Sequence, residues 1–159
     1  MKLYIRQNVF SWTDRFTVMD EAGLGKYYVE GELFSFGKKL HVYDMTGAKR
    51  AFVQQKVFSF LPRYFVFIGE QQVAEIVKEF TFFRQQYTVE GLGWEVTGNF
   101  WAHDYEIVQN GRTIVTIHKE WMTWGDCYEL DIADESDEII ALAVVLAIDS
   151  VLDAASSNN

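Results

Sequence analysis

From the N-terminus to about residue 132, apolar and polar positions alternate with a period of two. Tyr27, Val29 and Gly31 alternate with Tyr28, Glu30 and Glu32. Leu40 and Val42 alternate with His41 and Tyr43, and Ile114, Thr116 and His118 with Val115, Ile117 and Lys119. Successive side chains of a strand point to opposite faces, so this alternation predicts half-buried strands. Glycine-containing turn signals punctuate it: Gly23-Leu24-Gly25, Met45-Thr46-Gly47, Gly69-Glu70, Gly91-Leu92-Gly93 and Asn110-Gly111. The pattern predicts twelve strands, near residues 3–7, 14–19, 26–33, 39–44, 49–57, 63–69, 72–79, 85–90, 94–98, 104–109, 113–120 and 125–132.

Three of these units look alike. Gly47 to Lys56, Gly69 to Lys78 and Gly111 to Lys119 each run from a turn glycine through a strand to a lysine. An aromatic follows after one intervening residue, at Phe58, Phe80 and Trp121. The repeat reads as a hairpin whose aromatic seals the end of a barrel.

The period changes after Asp137. Ile139 to Ile148 is an unbroken apolar run rich in Ala and Leu, continued by Asp149-Ser150-Val151-Leu152-Asp153-Ala154-Ala155. This predicts a helix over 137–155, with Ser136 or Asp137 as its cap and the preceding acids facing the positive end of its dipole. A membrane span needs about 20 apolar residues and basic flanks. This run is shorter, is followed by Asp149 and Asp153, and has no Lys or Arg beside it. A helix apolar all round and too short to span belongs inside a core. Twelve strands make a barrel too wide for side chains alone to fill. The fold class is therefore mainly β: a twelve-stranded antiparallel closed barrel around a central hydrophobic C-terminal α-helix. It forms one domain over 1–155, strands to 133, with a short disordered tail at 156–159.

Composition narrows the function. The net charge is −9, from 14 basic and 23 acidic residues, and no Lys or Arg occurs after Lys119. That excludes nucleic-acid binding through overall charge. The single cysteine, Cys127, precludes an internal disulfide and suits a cytoplasmic location. The first twenty residues lack the apolar core of a signal peptide.

The opening Met1-Lys-Leu-Tyr-Ile-Arg-Gln7, the strand Leu40-His-Val-Tyr-Asp44 followed by Gly47, and the ending Ile139 to Asp149 resemble the LURP-one-related (YxjI-like) family of the tubby C-terminal-like superfamily. The resemblance covers essentially the whole chain and implies the same barrel around a central helix. The superfamily also contains phosphoinositide-binding tubby domains and phospholipid scramblases. For this chain it implies a non-enzymatic binding or scaffold module with a protein or lipid partner. Peripheral membrane contact, or a scramblase-like response to lipid or calcium, is the alternative.

Candidate chemistry follows from both readings. Lys38, Lys39, Lys49 and Arg50 on one hairpin are the best set for an anionic lipid, because several phosphate charges need clustered cations. Where scramblase-like proteins carry a proposed calcium segment, this chain has Asp126, Glu129, Asp131, Asp134 and Asp137, hard oxygen ligands without EF-hand spacing. His41, His103 and His118 read as strand residues. With no metalloprotease motif, phosphate-cradling loop or nucleophile elbow, the chain reads as a non-enzyme without a cofactor. Trp12, Trp94, Trp101, Trp121 and Trp124 read as core residues.

Overall fold

The computed structural model describes residues 1–6, 15–32, 36–80, 85–100, 102–123 and 125–157, with all of their side chains except those at 79, 80, 85, 86, 126 and 152–157. The strands are β1 (Lys2–Arg6), β2 (Arg15–Met19), β3 (Gly25–Gly31), β4 (Lys39–Asp44), β5 (Lys49–Gln55), β6 (Arg63–Ile68), β7 (Gln71–Phe80), β8 (Gln85–Glu90), β9 (Trp94–Asn99), β10 (Asp104–Gln109), β11 (Arg112–Met122) and β12 (Gly125–Ile132). Each pairs antiparallel with its neighbours in sequence, and β1 closes the barrel on β12. Closure leaves no open sheet edge.

Alternation sets the two faces as expected. Nearly every strand sends two residues inward: Leu40 and Val42 from β4, Ala51 and Val53 from β5, Tyr105 and Ile107 from β10, all buried. At Asn110-Gly111 both residues have positive φ (51° and 77°), as a tight hairpin turn requires.

A short 3-10 turn, Glu135–Asp137, leads into α1 (Glu138–Ser157). The capping carboxylate is Asp134, which accepts from the Ser136 amide, rather than Ser136 or Asp137. The cap acts one turn early because the 3-10 turn precedes the helix. Ala and Ser tolerate helix well enough to carry α1 two residues past the expected end, to Ser157. From Ala141 to Val151 every residue of α1 is buried. The helix runs down the barrel axis, packed most closely on β5 and β6. It enters beside the top of β12, so the barrel has an upper end, where the helix starts, and a lower end.

The register assigns each loop to an end. Turns 20–24, 45–48, 69–70, 91–93 and 110–111 lie above, and residues 36–38, 56–62, 100, 102–103, 122–123 and 125 below. At the lower end of β9 the backbone of β10 crowds Gly98. A Cβ there would stand 2.7 Å from the Asp104 carbonyl oxygen, and φ is +125°. Only glycine fits, and the turn it permits carries His103, which is therefore a turn residue with φ +51° and not a strand residue.

Candidate functional site

The lower end differs chemically from the upper. The acidic run that caps the helix stands above. Below, Phe36, Phe58, Phe60 and Trp121 are exposed at 70, 92, 100 and 75%. Phe58 and Trp121 thus correct the expectation that the repeated aromatics seal the barrel: the core positions are taken by α1 and the inward residues of the strands, and these two rings stay outside; the Phe80 side chain lies outside the described residues. Trp94 is buried, and Trp12, Trp101 and Trp124 lie outside the described residues.

Phe58 and Phe60 share the loop Lys56-Val-Phe-Ser-Phe-Leu-Pro-Arg63. Two bonds tie its base to the neighbouring segment. The Gln55 amide donates to the Lys38 carbonyl (2.8 Å), and the Lys38 amide donates to Gln55 Oε1 (3.1 Å). Phe36 is thereby held against Phe58, ring centroids 5.6 Å apart. Phe58 is a non-glycine residue at φ +59°. Such a conformation costs about 1–3 kcal/mol and persists where its surroundings fix it. Beneath the loop is a cavity of about 450 Å³ whose lining includes Gln55, Phe58, Phe60, Tyr64, buried Lys78, and Val151 of the central helix.

The four expected lipid-binding cations share the β4–β5 hairpin but are not brought together. Lys39 pairs with Gln54 at the lower end, and Lys49 with Tyr43 at the upper. Four strand steps separate the pairs, roughly 13 Å. Lys39 lies 3.6 Å from Glu32, which also bonds His41 at 2.7 Å. The His41 hydrogen bond, ahead of the Lys39 charge, holds the Glu32 carboxyl below its ordinary range. Above, Arg50 bonds Asp44 (3.3 Å) and the Lys49 ammonium sits 4.5 Å from the Phe52 ring centre. Only Lys38 and Lys39 therefore adjoin the aromatic loop.

The five expected calcium ligands are likewise dispersed. Asp131 is exposed on the outer face near the top of β12, Asp134 is the cap, and Asp137 closes the 3-10 turn. The Asp126 side chain lies outside the described residues. Glu129 is different: it faces outward yet is only 4% exposed. Burial works against its ionised form, but hydrogen bonds from Lys2 (Nζ 2.9 Å) and Tyr4, with the charges of Lys2 and His118, outweigh it and keep the carboxyl below its ordinary range. His118 Nε2 stands 3.3 Å from Glu129 Oε1 and 3.1 Å from Glu120 Oε1. This trio is not apparent from the linear order of the residues. Its signal was the two-residue spacing of His118 and Glu120 across a tight hairpin from Glu129.

A second polar cluster is interior. Asp149 projects from α1 toward His103, its Oδ1 3.4 Å from Nε2. His103 stacks on Tyr128 (4.1 Å). Asp149 Oδ1, His103 Nδ1 and the hydroxyls of Tyr87 and Tyr105 are buried without a hydrogen-bond partner among the described residues.

Three comparisons bear on this architecture. Residues 1–149 match the family model LURP-one-related. The chain is 34% identical over 152 residues to the uncharacterized protein YxjI of Bacillus subtilis, covering 96% of this chain and 94% of that one. Among solved structures, a protein of Arabidopsis thaliana superimposes with a TM-score of 0.65 at 13% identity, covering 94% of this chain and 90% of that one, and so shares the fold.

Proposed function

The chain belongs to the LURP-one-related family, and from that membership and its lower mouth we propose a non-enzymatic binding module that docks by this mouth on an anionic phospholipid surface. The observation that carries the reading is the pair Phe58 and Phe60, almost wholly exposed on one loop between Lys56 and Arg63. A Phe side chain gains about 1.5–3 kcal/mol on full burial in an apolar phase. A Lys or Arg close to an anionic leaflet adds about 1 kcal/mol. Two rings flanked by Lys38 and Lys56, with Lys39 beside them shared with Glu32, combine both terms at one point. No helix among the described residues is long and apolar enough to cross a membrane, so the contact proposed is peripheral.

Much of the acid behind the net charge of −9 stands away from this mouth. The helix-capping acids stand at the far end of a barrel roughly 18 Å tall, given strands that average about seven residues and a tilt of about 40°. That exceeds two Debye lengths, each about 8 Å at physiological salt. At the lower end, Glu30 and Glu32 are engaged by Arg15 and by Lys39 and His41, and Asp104 and Glu120 stand across the barrel from the aromatic loop, at the lower ends of β10 and β11.

Vesicle co-sedimentation tests the reading. The protein should pellet with vesicles rich in phosphatidylserine and remain in the supernatant with phosphatidylcholine alone. The double change Phe58→Asp and Phe60→Asp should weaken binding at least about tenfold, since it removes close to the burial energy of two rings. Circular dichroism should be unchanged, both positions being exposed. Lys38→Glu with Lys39→Glu should weaken binding, whereas Lys49→Glu with Arg50→Glu should not. Equal effects of the two charge reversals, or binding indifferent to the aromatic change, would contradict docking by the lower mouth.

A further inference from the structure

We propose that His118, Glu120 and Glu129 form a site for a zinc-like divalent transition-metal ion on the outer face of the barrel. All three residues come from the β11–β12 hairpin. His118 is the direct cross-strand partner of Glu129, and Glu120 lies two residues along β11 on the same face. The register, rather than a mobile loop, therefore sets their spacing, and such preorganisation favours binding.

The distances fit an ion at the centre. Zinc bonds to nitrogen and oxygen run about 2.0–2.2 Å, so tetrahedral ligand atoms stand about 3.4 Å apart. His118 Nε2 lies 3.1 Å from Glu120 Oε1 and 3.3 Å from Glu129 Oε1, and one ligand atom from each of the three lies within 4.8 Å of the others. Among the described residues this is the one group of three or more His, Cys, Asp or Glu side chains gathered so closely. An imidazole with two carboxylates suits zinc and its neighbours, whereas calcium asks for six to eight oxygens. Three protein ligands leave room for water, the open form of a zinc site. Glu129 alone is shared with the dispersed acids considered for calcium.

Lys2 sets the strength of the site. Its ammonium lies 2.9 Å from the Glu129 oxygen that would bind the ion. It is a tethered cation that an incoming metal displaces. Its side chain is more than a third exposed and free to swing outward. The site is thus weaker with Lys2 present than without it.

Calorimetric titration of the chelator-stripped full chain with zinc chloride tests this. One ion should bind per chain. His118→Ala and Glu120→Gln should each weaken binding at least about tenfold, the loss typical even for residues that only support a metal ligand. Lys2→Met should tighten it several-fold. Glu120 is half-exposed, so its variant retains the fold, as circular dichroism would verify. Calcium at equal concentration should not compete. Absence of saturable heat up to about 1 mM zinc, the weak limit of binding at −4.1 kcal/mol, would overturn the site. So would wild-type affinity in both the His118 and Glu120 variants, or effective competition by calcium.

Discussion

Removal of residues 138–157 should leave a chain with no cooperative unfolding transition. The reason is volumetric. Leu142, Val144, Val145, Leu146, Ile148 and Val151 are all buried on the barrel axis. Each apolar side chain of this size gains about 1.5–3 kcal/mol on burial, so together they contribute on the order of 10 kcal/mol. That matches the whole net stability of a typical domain, about 5–15 kcal/mol. Truncation also leaves a central void that water would enter, wetting the inward residues of every strand. The measurement is thermal and urea denaturation followed by circular dichroism. A soluble remnant with a sharp transition would show that the sheet closes without its filling. Leu146→Ala provides the graded counterpart: the fold should persist with about 2–5 kcal/mol less stability, the span for deleting a buried leucine side chain.

That dependence explains why the architecture was legible in the sequence while the candidate sites were not. Alternation is a local signal, and it located all twelve strands because each strand has one face toward the barrel interior and one toward solvent. The apolar run from Ile139 to Ile148 is equally local, and its length, the acids that follow it and the lack of basic flanks separate a core helix from a span. Sites depend on register and on which end a loop occupies. Lys38, Lys39, Lys49 and Arg50 are close in sequence, yet the length of β4 holds the two pairs apart. His118 and Glu129 are eleven residues apart and face each other directly. Phe58 and Trp121 look like core aromatics until the filled interior leaves them outside. Chemistry at the lower end thus depends on the central helix, which occupies the space those rings would otherwise fill.

The same filling creates the chain's least comfortable residue. Asp149 ends the apolar run, and helical geometry carries it into the core, where it is 5% exposed. Its surroundings are His103, the buried rings and hydroxyls of Tyr87 and Tyr105, and Tyr128 stacked on His103. The 3.4 Å approach of His103 Nε2 is too long to count as a good hydrogen bond, and Asp149 Oδ1 has no other partner among the described residues. Burial raises its pKa above the ordinary value of 3.8, and the opposing pull of His103 is smaller. The folded chain therefore holds this proton more tightly than the unfolded chain does. Its stability is full below the unfolded pKa and declines as pH rises from there through the folded pKa. Asp149→Asn, which keeps the shape and removes the charge, should leave stability nearly unchanged near pH 4. At pH 8 it should raise stability by on the order of 1–3 kcal/mol, the usual penalty of an unsatisfied buried group. For a chain of this length, that is roughly 2–4 °C of melting temperature per kcal/mol. Denaturation of both proteins across this pH range is the check. A variant weaker than the parent at pH 8 would mean that the Asp149–His103 pair, in spite of its length, holds the helix to the 100–103 turn more strongly than burial opposes it.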